Sequence, residues 1–441
     1  MIHPLQAMMQ KRREGIKCGI PSYCTANELV IEAVLERTKV TGEAVLIEAT
    51  ANQVNQFGGY TGMQAADFKN FVYKIAEKVG VSKDMIILAG DHLGPLTWCK
   101  EDEVSAMEKS EVLLRSFVLA GFTKIHLDTS MKLASDPVDE MLPTATIAER
   151  GVRLYKVCME AFAELQKTEP DALRPVFIIG SEVPIPGGAQ EVEEGISVTK
   201  PADFKDTVNT YKETFKKFGF DNAWDDVIAV VVQPGVEFGD AQVFMYDREE
   251  ATDLVAALND YPEIIFEGHS TDYQSPYCLK KMVEDGIAIL KVGPALTYGL
   301  RDALFALSNI ERELFDVDAA SNFDKVLEKV MLEKPSNWQK HYHGDEKALH
   351  LARLYSYSDR ARYYLPEEEV IGAMDKLFAN LDSVEIPMNI LHQYMPIQYK
   401  KVRDGKLALS ARELAKDGVV DYALEYEYAA DPNSGDYALQ L

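Results

Sequence analysis

About eight times in its first 315 residues the chain passes from a short apolar run to a longer amphipathic segment. That alternation limits it to folds built on a parallel sheet with helices packed outside. The expected strands are "IKCGI" (16–20), "AVLIEA" (44–49), "MIILAG" (85–90) and "KIHLD" (124–128). They continue with "PVFIIG" (175–180), "VIAVVVQ" (227–233), "EIIFEG" (263–268) and "AILKVG" (288–293). Segments such as "AADFKNFVYKIAEKVG" lie between them, with apolar residues at three and four spacing, the helical period.

Two architectures alternate in this way, a closed (β/α)8 barrel and a doubly wound open sheet. Polar residues follow strand after strand, as eight loops around one mouth require; an open sheet concentrates them at one switch point. The expected fold is therefore α/β, a (β/α)8 TIM barrel over residues 1–316. After about residue 317 the strand pattern stops, and "NFDKVLEKVMLEK", "DEKALHLARLYSYSDRARYYL", "EEEVIGAMDKLFANLD" and "ARELAKDGVVDYALEYEYAAD" read as helices. Residues 317–441 are expected to form a helical C-terminal extension, fraying over the final "AADPNSGDYALQL".

Charge narrows the functional classes. With 46 Lys and Arg against 71 Asp and Glu, the formal net charge is −25, a field that repels nucleic acid and anionic membranes alike. Neither is an expected partner, and an anionic substrate has to be met by local cations, backbone amides or a metal. The five cysteines, Cys18, Cys24, Cys99, Cys158 and Cys278, show no CxxC spacing, which fits reduced thiols. The N-terminal "MIHPLQAMMQKRREG" has no apolar core after its charges, and no run approaches the roughly 18 apolar residues of a membrane span. A soluble cytoplasmic protein is expected.

The loops after the strands carry the chemistry. "GDHLGP" follows the third strand, "HLDTSM" closes the fourth, and "GSEVPIPGG" puts Glu182 ahead of a Gly-Gly turn. The sixth strand ends at Gln233 in "QPGVEFGD", and the seventh in "EGHSTDY" with Glu267, His269 and Ser270. In a barrel these loops gather Asp91, His92, Asp128, Glu182, Gln233 and His269 around one cavity. Two imidazoles and several carboxylates hold a divalent metal and leave a carboxylate free for proton transfer. Plainer roles compete: Asp128 also suits a helix cap, His126 sits inside its strand as a satisfied core residue, and His341 and His343 read as surface or packing. In "SYSDRARYYL", Arg360 and Arg362 are either exposed charges beside an aromatic face or a phosphate grip at the mouth. Gly58-Gly59-Tyr60-Thr61-Gly62 shapes the mouth or cradles a phosphate. No Walker loop, GxGxxG or GxSxG occurs, so a kinase reading finds no support.

In order along the chain, "AGDHLGP", "KIHLDTSM", "IGSEVPIPGG", "VVQPGVEFGD", "FEGHSTDYQ" and "YSYSDRARYYL" resemble the tagatose-bisphosphate aldolase accessory-subunit family of the GatZ/KbaZ type. That family is similar, more remotely, to class II ketose-bisphosphate aldolases, which are zinc-dependent barrels. The resemblance implies Asp91 as acid/base, His92 and His269 as metal ligands, and Glu182 as a ligand or second acid/base. Gln233 stands where those aldolases carry a further histidine, which shifts the expected ion from Zn toward Mg or Mn. Asp128, Ser130, Gln233, Ser270 and Arg360 are the expected substrate contacts.

Three activities are consistent with the resemblance. The leading expectation is C4 epimerisation of fructose 6-phosphate and tagatose 6-phosphate by retro-aldol and aldol steps. The alternatives are a non-catalytic partner for a class II aldolase subunit and direct cleavage of tagatose 1,6-bisphosphate. A homo-oligomer is a further expected assembly.

Overall fold

The computed structural model describes residues 2–183 and 196–437. Eight parallel strands close into a barrel: β1 Ile20–Cys24, β2 Val45–Thr50, β3 Ile86–Leu93, β4 Lys124–Leu127, β5 Val176–Ile179, β6 Val227–Val232, β7 Ile265–Gly268 and β8 Ile287–Val292. Each pairs with the next, and β8 returns to β1 through Ile20 opposite Ile289 and Tyr23 opposite Val292. The expected TIM barrel is what forms. One strand is displaced: Ile16–Gly19 carry the chain up from the first helix, and pairing begins at Ile20.

Side chains alternate along each strand, and the two faces have different tasks. Outward residues such as Val45, Ile47, Ile86 and Leu88 pack under the surrounding helices. Inward residues Leu46, Ile87, Ala89, Val176, Ile178, Val231 and Ile265 form a second apolar core, closed from below by Leu5 and Met9 of helix Pro4–Arg13. Two residues further up the same strands the inward face turns ionic, from Leu46 to Glu48, Ala89 to Asp91 and Ile265 to Glu267. The barrel is thus an apolar plug beneath a charged floor.

Beyond the barrel strands, helix Pro294–Leu314 is followed by Phe323–Glu333, Glu346–Tyr355, Glu368–Asp382, Met388–Tyr394, Pro396–Arg403 and Ala411–Ala430. The sequence "DEKALHLARLYSYSDRARYYL" does not run as one helix. It breaks after Tyr355, where Ser356 and Ser358 donate to the Asp240 carboxylate at 2.8 and 2.9 Å and Asp359 takes a φ of +42°. The final helix, Ala411–Ala430, returns to the barrel wall. Gly418 lies against Gly299 so closely that a Cβ would stand 2.6 Å from the Gly299 carbonyl oxygen. Its Tyr426 hydroxyl donates to the Thr271 carbonyl at 2.8 Å, and the Thr271 hydroxyl donates to the Lys291 carbonyl at 2.7 Å. No described helix is long and apolar enough to cross a membrane.

Glu32, 4% exposed, ties the last helix to the first barrel helix. It meets Lys78 at 2.7 Å, Arg412 at 2.6 Å and Lys416 at 3.1 Å. Burial alone would raise its pKa, but hydrogen bonds from these three cations outweigh it and bring the carboxyl from 4.5 to about 2. A folded value below the unfolded one gives stability that is present above pH 4.5 and lost as the pH falls toward 2. Glu32→Gln is expected to cost about 2–3 kcal/mol at pH 7 by removing the carboxylate shared by Lys78, Arg412 and Lys416, with Lys416 left to Glu36 and Glu413. Urea denaturation at pH 7 and pH 3 checks this, the gap between wild type and variant shrinking at the lower pH.

Candidate functional site

At the carboxyl ends of the strands lies a cavity of about 250 Å³, walled by Cys24, Asp91, His92, His269, Ser270, Asp272, Lys291 and Arg362 together with Asn52, Tyr60 and Tyr363. In barrels of this class that end is where chemistry takes place. Its floor is the ionic layer. Lys124 of β4, fully buried, bridges Glu48 of β2 and Glu267 of β7, the latter at 2.7 Å. Lys291 of β8 bridges Glu48 and Asp91, reaching the Asp91 Oδ2 at 2.5 Å.

Above this floor three imidazoles converge. The ring centroids of His92, His126 and His269 stand 5.0 to 5.2 Å apart. Each ring has one nitrogen held by a carboxylate: His92 Nδ1 by Asp128 at 2.7 Å, His126 Nδ1 by Asp91 at 2.9 Å, and His269 Nε2 by Glu267 at 2.9 Å. A carboxylate can only accept, so a neutral imidazole bonded to it carries its proton on that nitrogen and its lone pair on the other. The nitrogens turned away from these carboxylates are His92 Nε2, which lies 3.6 Å from the Asp91 Oδ2, His126 Nε2 and His269 Nδ1; His126 Nδ1 also meets the His92 amide at 3.2 Å, so Asp91 and that amide compete for it. Among the described residues His126 Nε2 is buried without a hydrogen-bond partner.

Asp91 and His92 are neighbours on one strand, so regular pleating would point them to opposite faces. His92 instead adopts φ +48°, a left-handed conformation that brings its ring to the cavity beside Asp91. Ser270, at φ +52°, repeats the device after His269. Such conformations cost on the order of 1–3 kcal/mol each and persist where the surroundings hold them. Gly94 supplies part of that hold: a Cβ there would run into the Asp128 carbonyl, so only glycine lets the end of β3 lie against the residue that orients His92.

The electrostatics follow from this packing. For Asp91 burial opposes ionisation, but His92, Lys291, His126 and His269 outweigh it and keep the carboxyl well below the usual range. Asp128 and Glu267 are depressed in the same way, against burial, by His92 and by Lys124 with His269. Burial lowers His269 to about 4, so it is neutral at physiological pH. Burial also pulls His92 down, but Asp91 and Asp128 bring it above the ordinary histidine value. Asp272 is raised to about 6 by burial, although the Ala295 and Gly293 amides partly offset it.

The residues fit a divalent cation. Asp91, His126, Glu267 and His269 each offer a donor atom, and these atoms lie within 4.8 Å of one another. The buried layer holds four carboxylates, Glu48, Asp91, Asp128 and Glu267, against two ammoniums, Lys124 and Lys291. Lys124 and Lys291 offset two of these charges, and His92, whose affinity for a proton is raised by Asp91 and Asp128, offsets part of a third, so the layer stays net negative. Two imidazole nitrogens and two carboxylate oxygens, with the His92 ring centroid 5.0 to 5.2 Å from the other two rings, suit zinc and its transition-metal neighbours better than magnesium.

The family described as D-tagatose-1,6-bisphosphate aldolase subunit GatZ/KbaZ-like matches residues 5–431. This chain belongs to that family. A solved structure described as a probable tagatose 6 phosphate kinase from Sinorhizobium meliloti 1021 superposes with a TM-score of 0.85 at 43% identity, covering 93% of this chain and 100% of that one. A putative fructose-1,6-biphosphate aldolase from Coccidioides immitis covers 86% of this chain and 96% of its own at 15% identity and a TM-score of 0.42. The YdjI aldolase from Escherichia coli K12 covers 86% and 98% at 14% and 0.41. Membership in the GatZ/KbaZ-like family ties the chain to carbohydrate metabolism and aldolase-related chemistry.

The structure of this GatZ/KbaZ-like chain gathers Asp91, His92, His269 and Ser270 on one cavity. Behind that cavity stands His126, which the sequence assigned to the core: it is fully buried on the inward side of β4 and meets Asp91 at 2.9 Å. Asp128 and Ser130 lie behind His92, Ser130 donating to Asp128 at 2.7 Å, rather than on the cavity wall. Gln233 does not replace a ligand. Its amide oxygen accepts from the Gly235 and Val236 amides at 2.9 Å each and is spent on its own loop. Glu182 is exposed, with Oε2 accepting from Thr199 at 2.7 Å, and is not among the converging donors. The Gly187-Gly188 turn after it lies outside the described residues. Arg360 donates to the Asn337 carbonyl at 3.0 Å, and Arg362 takes the place on the cavity wall because the chain breaks at Ser356–Asp359. The Gly58–Gly62 loop shapes the mouth, where Gly59 at φ +55° passes against the Gln53 backbone.

The charged floor sets a stability test. Lys124→Met leaves Glu48 and Glu267 buried with one partner fewer and is expected to cost about 3–5 kcal/mol. Urea denaturation of the variant measures it, and a loss below 1 kcal/mol contradicts the ion-pair floor.

Proposed function

We propose that this chain is a metal-dependent enzyme that interconverts fructose 6-phosphate and tagatose 6-phosphate. The observation that carries the reading is the set of three converging imidazoles, each held by its own carboxylate through one nitrogen, two of them on the cavity wall and His126 directly behind it. His92, His126 and His269 would hold the metal, with Asp91 and Glu267 beside them. When bound, a divalent metal supplies Lewis acidity toward the ketose oxygens.

The two sugars differ only at C4, whose hydrogen is not adjacent to the C2 carbonyl and is not readily removed. Cleavage of the C3–C4 bond avoids that difficulty. The C4 hydroxyl loses its proton, C4 becomes an aldehyde carbon, and the bonding pair passes to C3 and is delocalised onto the C2 oxygen. If the aldehyde turns over before the bond re-forms, C4 is inverted with no redox change. Asp91 accepts the C4 hydroxyl proton and returns it, its carboxylate oriented by His126 and Lys291. Lys291, an ammonium on the cavity wall, faces the oxygen on which negative charge develops. Arg362 supplies a cation for the phosphate.

The family description favours a second reading, a subunit that supports a separate aldolase. The two readings part on one experiment. The purified, metal-replete chain alone is expected to form tagatose 6-phosphate from fructose 6-phosphate. EDTA abolishes the reaction and Asp91→Asn slows it by about 10²–10⁴-fold. No product from the folded, metal-loaded chain would sink the enzyme reading. If that chain then raised the activity of a class II aldolase with Asp91→Asn as effective as wild type, the subunit reading would stand.

A further inference from the structure

The cavity wall carries one cation, Arg362, that no carboxylate of the described residues contacts directly. Lys291 is clamped by Glu48 and Asp91. Arg362 makes no ion pair within 4.0 Å among the described residues. Its Nη1 donates to the Ser358 and Asp359 carbonyls, and its Nη2 donates to the Tyr363 hydroxyl at 2.9 Å. Of five guanidinium hydrogens this leaves the Nε–H and one on Nη2, the edge that grips a phosphate with two parallel bonds. The guanidinium also lies 4.4 Å from the Tyr363 ring centroid, which fixes its plane.

A second anion place is common in such barrels, at the helix N-terminus that follows the last strands. Here it is filled from within. Asp272 Oδ1 accepts from the Gly293 amide at 2.9 Å and the Ala295 amide at 2.8 Å. Pro294 has no N–H to offer, and the Leu296 amide donates to the Gly293 carbonyl at 3.1 Å. The first turn of helix Pro294–Leu314 therefore has a carboxylate where a phosphate would sit. Asp272 is 3% exposed and lines the same cavity as Arg362.

We infer that the site takes a ketose carrying one phosphate, gripped by Arg362, and that Asp272 excludes a second phosphate from the same cavity. The inference rests on the sugar-phosphate reading above and deepens it. With Arg362 holding one phosphate, the anion site left to a ketohexose 1,6-bisphosphate is the helix N-terminus that Asp272 already fills; a monophosphate brings only a neutral hydroxymethyl group into that part of the cavity. Asp272 is thus a specificity-determining residue that separates monophosphate from bisphosphate chemistry.

The test uses ligands that bind without reacting: hexitol 6-phosphate and hexitol 1,6-bisphosphate, made by reducing the ketoses, titrated calorimetrically into the metal-loaded full chain. Wild type is expected to bind the monophosphate on the order of 100-fold more tightly. Asp272→Asn keeps the helix-capping oxygen and removes the charge, and is expected to narrow that gap to about tenfold or less without weakening the monophosphate. Arg362→Met is expected to weaken the monophosphate on the order of 100-fold. If its melting point falls, Arg362→Lys, which keeps the charge and loses the fork, is read instead and gives an intermediate loss. Equal or tighter binding of the bisphosphate by wild type overturns the inference, as does an unchanged gap in Asp272→Asn. Because neither hexitol is turned over, the preference is measured whether or not the lone chain is catalytic.

Discussion

The site depends on Lys124, which stands at the centre of the barrel with no exposure to solvent and holds a carboxylate from β2 and another from β7. An ammonium so placed is costly to desolvate, and the cost is tolerable only because both carboxylates reach it. The same carboxylates then lead outward. Glu48 also binds Lys291, Lys291 binds Asp91, Asp91 orients His126, and Glu267 orients His269. One buried cation thereby sets the positions of two of the three imidazoles, and the third is set separately through Asp128.

The helices beyond the barrel help to build the mouth. The break at Ser356–Asp359 is fixed by Asp240 and by Arg301, whose Nε donates to the Asp359 Oδ1 at 2.6 Å. That break points Arg360 at the backbone of Asn337 and leaves Arg362 on the cavity. The last helix supports β8 from outside through Tyr426 and Thr271, which hold the Lys291 carbonyl. A continuous hydrophobic core joins these helices to the barrel wall, with Leu414, Val419 and Tyr426 packed among Leu296, Leu300 and Leu304.

Much of this was legible in the sequence. The alternation of strands and helices announced the barrel, and Asp91, His92, His269 and Ser270 announced themselves by following strands. Glu48, Lys124 and Lys291 did not, because each sits inside an apolar run that was read for its hydrophobicity alone. The available signal was period two: Leu46 to Glu48 and Ile289 to Lys291 place an ionisable group on the inward side of a buried strand, where a charge needs a partner from across the barrel. His126 carried the same signal. Gln233, Glu182 and Arg360 show the converse limit. Each is a suitable residue type at a suitable place in the chain, but loop hydrogen bonding decides where its side chain goes, and that geometry has no local sequence signature.

The central claim is that His92, His126 and His269 together form one metal centre. X-ray absorption at the metal edge, recorded on zinc-loaded wild type and on His126→Gln, tests it most directly. The account predicts imidazole scattering from three rings in wild type and from two in the variant. An identical spectrum from both, or no retained zinc in the folded wild type, would contradict it.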